Sequence, residues 1–122
     1  MKLLLINGTN REGSRSNLVL KYFEGILKLE HETECFNLQN LDLDFFQNPY
    51  YNRKTSQIVQ IESQIRHSEC VIFFLPEYHG SYPGICKLFL DSIDSSLFLD
   101  KKIAIIGVSS GHSGNLRGID HF

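Results

Sequence analysis

Cysteine is scarce and unpatterned in this 122-residue chain: the three present, Cys35, Cys70 and Cys86, show no C-x-x-C spacing and leave an odd one over. That excludes a disulfide framework and a thiol redox pair, and leaves them as small core residues of a reducing, cytoplasmic compartment. An excess of positive charge is missing too. A net charge of −2, with basic residues scattered rather than striped, gives no reason to expect nucleic acid or an anionic membrane as a partner. No apolar run approaches membrane-spanning length, and Leu3-Leu4-Leu5-Ile6 breaks at Asn7, before a signal peptide's apolar region would be complete. The remaining expectation is a single domain over 1–122, long enough to bury a core without staples.

What is present is organised around Asn7-Gly8-Thr9-Asn10-Arg11-Glu12-Gly13-Ser14-Arg15-Ser16-Asn17. The stretch lies between an apolar run too short for anything but a buried strand and an amphipathic run from Leu18 to Leu29. A strand-to-helix loop of this kind directs free N–H groups and the positive end of the helix dipole at whatever sits above the strand, which suits a phosphate. Gly8 and Gly13 allow a tight backbone path, Thr9, Ser14, Ser16 and Asn17 supply donors, and Arg11 and Arg15 bring planar cationic forks. Two rival phosphate motifs fail. Gly8 and Gly13 have P-loop spacing, but Ser14 and Arg15 stand where the lysine and the magnesium-binding hydroxyl belong, and Asn10 replaces the second glycine of G-x-G-x-x-G. The reading is a terminal monophosphate held without a metal; an ordinary helix cap at Ser16 or Asn17 is the plain alternative.

Further along, Glu32 to Leu38 alternates as a half-apolar strand near a sheet edge. Gln39 to Lys54 is irregular, with a turn at Asn48-Pro49. Asp42 and Asp44 lack a calcium-loop glycine or glutamate, and Leu41, Leu43, Phe45 and Phe46 suggest a segment pinned to the core, so no metal is expected there. Tyr50 and Tyr51 read as packing. Thr55 to His67 carries Ile58, Ile61 and Ile65 at helical spacing; Cys70 to Leu75 is a strand covered on both faces; a helix starting at Pro83-Gly84 carries Ile85, Leu88, Phe89 and Ile93 inward; and Lys102 to Val108 is one more strand. Strands alternating with helices predict a parallel α/β sheet with right-handed crossovers and a ligand at the carboxyl ends of the strands.

Two further loops follow strands. Pro76-Glu77-Tyr78-His79-Gly80-Ser81-Tyr82-Pro83-Gly84 offers aromatic surface with polar tips for a flat heteroaromatic ring. Gly107-Val108-Ser109-Ser110-Gly111-His112-Ser113-Gly114 also fits the G-x-S-x-G nucleophile elbow of hydrolases, which would make Ser109 a nucleophile. That reading lacks partners, because only the adjacent Asp120 and His121 remain downstream.

The phosphate loop resembles the G-S-x-R-x-x-S loop of the NADPH-dependent FMN reductases, a flavodoxin-like group that includes flavin, chromate and azobenzene reductases. The loop at 76–84 is similar to their P-E-Y-N-x-S-x-P-G signature, with His79 replacing asparagine, and the loop at 107–114 to their S-G-G-x-x-G loop, with His112 at one glycine position. The resemblance implies a flavodoxin-like three-layer α/β sandwich with a parallel sheet, truncated so that a last strand and helix beyond Gly118-Ile119-Asp120 are missing. It implies FMN as cofactor and NADPH or NADH as co-substrate, serving a quinone, azo, metal-oxyanion or free-flavin acceptor. Thr9, Arg11, Ser14, Arg15, Ser16 and Asn17 would hold the FMN phosphate; Pro76, Glu77, Tyr78, His79, Ser109, Ser110 and Gly111 would frame the rest; no catalytic acid is required. An FMN-binding electron carrier or non-catalytic flavin module is the alternative. Apolar surface left bare by the truncation implies a homo-oligomer.

Overall fold

The computed structural model describes residues 1–42 and 54–122, and the readings at Leu43, Asp44, Phe45, Phe46, Asn48, Pro49, Tyr50 and Tyr51 lie outside them. Strands β1 (Lys2–Asn7), β2 (Glu32–Asn37), β3 (Cys70–Pro76) and β4 (Lys102–Val108) alternate with helices α1 (Arg15–Leu27), α2 (Ser56–His67), α3 (Gly84–Ser92) and α4 (Leu116–His121). The strands form one parallel sheet in the order β2-β1-β3-β4, so the half-apolar β2 is an edge and β1 and β3, with their apolar runs Leu3–Ile6 and Cys70–Pro76, are central. This is the flavodoxin-like arrangement expected from the sequence. Strand order reverses between β1 and β3, and there Gly8 donates its N–H to Phe74 O at 2.9 Å.

Period-two alternation along the central strands sorts the core into two faces. Leu4, Ile6, Val71, Phe73 and Leu75 meet Ile58, Ile61 and Ile65 of α2 and Cys86 and Phe89 of α3; Leu3, Leu5, Cys70 and Phe74 meet Leu20 and the partly buried Val19, Phe23 and Leu27 of α1. Each such side chain, once buried, contributes about 1.5–3 kcal/mol against the entropy of ordering the chain. No helix among the described residues is long and apolar enough to cross a membrane.

Two boundaries differ from those read in the sequence, both because of side-chain capping. Helix α1 begins at Arg15 rather than Leu18, because Ser14, not Ser16 or Asn17, is the cap: its Oγ accepts from the Asn17 N–H. Strand β2 stops at Asn37 because Asn37 Oδ1 accepts from Gln39 N–H and starts the short 3-10 turn Leu38–Asn40. The amphipathicity of α1 is also two-sided. Leu18, Tyr22 and Ile26 form an outward stripe, exposed by 67%, 68% and 49%, which Leu29 (82%) continues just past the helix end.

Helix α4 sits unusually close to the sheet. A Cβ on Gly118 would lie 2.0 Å from Asn115 Oδ1, and one on Gly107 would lie 2.7 Å from Asn115 Cβ and 2.8 Å from Ile119 Cδ1. Asn115 is buried and cannot swing aside freely, because its Nδ2 donates to Leu75 O at 2.6 Å. Phe122 closes the far end, with its ring 4.8 Å from that of Phe73 and 5.4 Å from that of Tyr82.

The same substitution should therefore have opposite signs at two helical glycines. Gly25→Ala on α1, where nothing lies within 4 Å, gains helix propensity of about 0.5–1 kcal/mol. Gly118→Ala overpacks Asn115 and costs about 1–3 kcal/mol. Urea unfolding midpoints of the two variants measure this directly.

Charge on α1 gives a pH signature. Glu24 lies 2.8 Å from Lys21 Nζ and 2.5 Å from Lys28 Nζ, and hydrogen bonds from Lys21 and then Lys28 lower its carboxyl from 4.5 to about 2. Both ammonium groups are more than half exposed, so the two pairs together contribute only about 0.5–1 kcal/mol. A lowered carboxyl stabilises the fold above its unfolded value and loses that contribution as pH falls from about 4.5 towards 2. Glu24→Gln should be less stable than the parent at pH 7, and the gap should close through that window in thermal melts.

Candidate functional site

All four strands run the same way, so the loops after β1, β3 and β4 leave the sheet at one end. They enclose a cleft of about 550 Å³ lined by Arg11, Glu12, Gly13, Ser14, Arg15, Pro76, Glu77, Tyr78, Val108, Ser109 and Ser110. That is the size of a small-molecule or cofactor site, roughly 300–1,000 Å³. Eight of the residues singled out in the sequence line it, namely Arg11, Ser14, Arg15, Pro76, Glu77, Tyr78, Ser109 and Ser110.

The first loop presents donors. Gly13 takes φ 62°, a left-handed turn that carries the chain into Ser14 and α1. Ser14 Oγ accepts from Asn17 N at 3.3 Å and shares an Asn7 Nδ2 hydrogen at 3.4 Å, which leaves its own O–H to donate. Among the described residues no acceptor meets the N–H groups of Arg15 and Ser16 in the first turn of α1. Arg11 and Arg15 are exposed, and the Arg11 guanidinium lies 5.9 Å from the centre of the Tyr78 ring, a cation–π contact of about 0.5–1 kcal/mol. A hydroxyl donor, free helix amides and two guanidinium groups fit a phosphate monoester.

Thr9, Ser16 and Asn17 are placed differently. Thr9 is fully buried; its hydroxyl donates to Tyr78 Oη at 3.2 Å and accepts from Arg11 N–H at 3.3 Å, tying the first loop to the second. Ser16 is fully buried and donates to Asn7 Oδ1 at 2.7 Å. Asn17 Oδ1 accepts from Asn37 Nδ2 at 3.2 Å, towards β2. Their polar atoms shape the loop rather than line the cleft.

The second loop is a two-residue hairpin: Tyr78 N–H donates to Ser81 O at 2.9 Å and Ser81 N–H to Tyr78 O at 3.1 Å. Its central residues, His79 and Gly80, take φ 52° and 74°. Histidine, like asparagine, tolerates this region better than most side chains, so the departure from asparagine noted in the sequence respects the backbone. His79 is exposed at the tip and does not line the cleft. Below it, Pro76 is the last residue of β3, and Glu77 N–H bonds Val108 O at 3.1 Å, setting the loops after β3 and β4 side by side.

The third loop folds back on itself, with Gly111 N–H donating to Ser109 Oγ at 3.1 Å; Gly111 is exposed beside the cleft lining. The elbow geometry of a hydrolase is not formed. His121 Nδ1 lies 3.2 Å from Ser81 Oγ instead, and Ser109 faces the cleft. Asn115 anchors this loop to the end of β3 through Leu75 O, a role that no motif signals. Asn7 was likewise not among the site residues read from the sequence; the signal was a polar residue directly following a buried apolar run.

Residues 1–122 match the model of a family described as NADPH-dependent FMN reductase. The chain is 28% identical over 120 residues to an NADPH azoreductase of Bacillus sp. (strain OY1-2), covering 98% of this chain and 65% of the relative. It is 30% identical over 118 residues to an FMN-dependent NADPH-azoreductase of Staphylococcus saprophyticus subsp. saprophyticus, covering 91% and 62%. Among solved structures, the flavoenzyme NAD(P)H:(acceptor) oxidoreductase FerB from Paracoccus denitrificans superposes with a TM-score of 0.76 at 22% identity, over 96% of this chain and 65% of that one. The chain spans less than two thirds of the length of these relatives. With the match running across 1–122 and the cleft where such a fold places it, the chain belongs to the NADPH-dependent FMN reductase family.

Proposed function

We propose that this chain is the flavin-binding part of an FMN-dependent NAD(P)H oxidoreductase, a cytoplasmic homo-oligomer that reduces a small-molecule acceptor such as a quinone, azo compound, metal oxyanion or free flavin. The observation that carries the reading is the convergence of the three motif loops on one cleft at the carboxyl end of the sheet, beside the β1/β3 switch point. Relatives named azoreductases support the class of acceptor. Three unpaired cysteines suit a reducing compartment, with the Cys86 thiol pushed up to about 12 by burial.

In this reading Arg11, Ser14, Arg15 and the first amides of α1 bind the phosphate, and Thr9, Ser16 and Asn17 hold the loop in shape. Tyr78 and the neighbouring backbone of Pro76 and Glu77 form one wall for the flat ring; Ser109, Ser110 and Gly111 form the opposite rim, and His79 stands at the hairpin tip. FMN, when bound, supplies hydride acceptance from a nicotinamide and electron delivery to the acceptor. The protein's task is to bind, orient and partly shield it. No described residue is required as a proton donor.

The test is the visible spectrum of the chain loaded with FMN, followed anaerobically after adding NADPH. Rapid bleaching is expected, whereas an FMN spectrum that stays unchanged would point to an electron carrier or non-catalytic flavin module. Arg11→Ala should weaken FMN about tenfold in a fluorescence titration, since one exposed charge-assisted contact is lost. Unchanged affinity would remove Arg11 from the phosphate site.

The outward stripe of α1 supports the homo-oligomer, because three exposed apolar side chains on one helix face, with Leu29 just beyond its end, favour burial against a partner. Light scattering at micromolar concentration should show self-association, and replacing Tyr22 and Ile26 with lysine should reduce it. A monodisperse parent monomer would refute this.

A further inference from the structure

We infer that Asn7 is a positioning residue that makes the first loop selective for a phosphate monoester; the inference rests on the flavin-phosphate reading above. Asn7 ends β1 and is fully buried, where an unpaired amide would be costly. Its amide instead ties the first loop to α1 and β2. One Nδ2 hydrogen goes to Asn37 Oδ1 on β2 at 2.9 Å, the other is shared between Thr9 O at 3.3 Å and Ser14 Oγ at 3.4 Å, and Oδ1 accepts from Ser16 Oγ at 2.7 Å.

Backbone partners fix which end of the amide faces which way. Thr9 O can only accept. Asn37 Oδ1 already accepts from Gln39 N–H at 3.0 Å, so the atom of Asn7 that meets it is a donor. The carbonyl of Asn7 therefore faces Ser16.

This orientation sets the direction of the loop hydroxyls. Ser16 lies 2.7 Å from Asn7 Oδ1 and 3.2 Å from Ser14 Oγ, and its single hydrogen takes the shorter contact. Ser14 Oγ then accepts from Asn17 N–H and shares an Asn7 Nδ2 hydrogen with Thr9 O, so its own hydrogen has two destinations: Ser16 Oγ or a group in the cleft. A phosphate oxygen is an acceptor with negative charge and outcompetes a neutral hydroxyl for that hydrogen. Asn7 thus presents a donor to the cleft without touching the ligand. Its effect is confined to the phosphate arm, since none of its contacts reaches the loops after β3 or β4 directly.

A binding comparison that needs no turnover tests this. FMN and riboflavin differ only in the phosphate, so the ratio of their dissociation constants isolates that arm. Asn7→Asp keeps the shape but replaces the donor end with an acceptor. It should lower the preference for FMN over riboflavin about tenfold or more while riboflavin affinity stays within about twofold. If both affinities fall together, or the preference is unchanged, Asn7 has no selective role and the inference is overturned. Should Asn7→Asp fail to fold by circular dichroism, Asn7→Ala, which removes the donor without adding charge, decides in its place: loss of preference with riboflavin affinity kept supports the positioning role, and an unchanged ratio overturns it. A parent chain that binds FMN and riboflavin equally removes the phosphate reading itself, and the Asn7 assignment with it. A parent that prefers FMN beside a variant that keeps the preference removes only the assignment.

Discussion

The constraint on which the rest of the molecule depends is the parallel direction of all its strands. A parallel sheet needs a helical crossover between successive strands, and each crossover leaves from the same edge. Loops far apart in sequence are thereby brought within side-chain reach, as the bond from Thr9 to Tyr78 illustrates. The order reversal between β1 and β3 opens space between two neighbouring loops, and β4 supplies a third wall. None of the loops needs to be long. Their chemistry is concentrated by topology, and the central apolar strands anchor it.

Within that frame, polar side chains at strand ends do the local fitting. Asn7 at the end of β1, Asn37 at the end of β2 and Asn115 just after the β4 loop each satisfy groups that a sheet leaves unpaired where its ladder stops. These amides link neighbouring elements by hydrogen bonds rather than by apolar area. Burial makes those of Asn7 and Asn115 effective, because an amide out of water has no alternative partner. The walls of the cleft are therefore joined to one another and to the sheet before any ligand arrives, which reduces the ordering cost of binding.

The strands and helices were legible because their signals are periodic. Ile58, Ile61 and Ile65 gave α2 its buried face, and the uninterrupted run from Cys70 to Leu75 could only be a central strand. The loops were legible as motifs, and the structure brings eight of the expected residues into one cleft. What could not be read was how each polar group would spend its hydrogen bonds. Thr9, Ser16 and Asn17 look like Ser14 in sequence, yet three of the four are committed to protein partners, because that depends on β2, Asn7 and Tyr78 meeting in space. The outer stripe of α1 was hidden for a related reason. Leu18, Tyr22, Ile26 and Leu29 fall at helical spacing just as inward residues do, and periodicity alone does not say which of two apolar faces meets the sheet.

The hairpin at Tyr78–Ser81 has an evolutionary consequence. Because residue 79 stands at φ 52°, the backbone admits chiefly glycine, asparagine, aspartate and histidine there, and it does so irrespective of what the rim of the cleft needs chemically. That short menu happens to include a neutral amide, an acid and an imidazole. Single-nucleotide changes among the last three can change the charge of the hairpin tip while the fold stays the same. The turn thus acts as a filter that lets the chemistry of one position be varied at little structural risk; in this chain the residue that stands there is histidine.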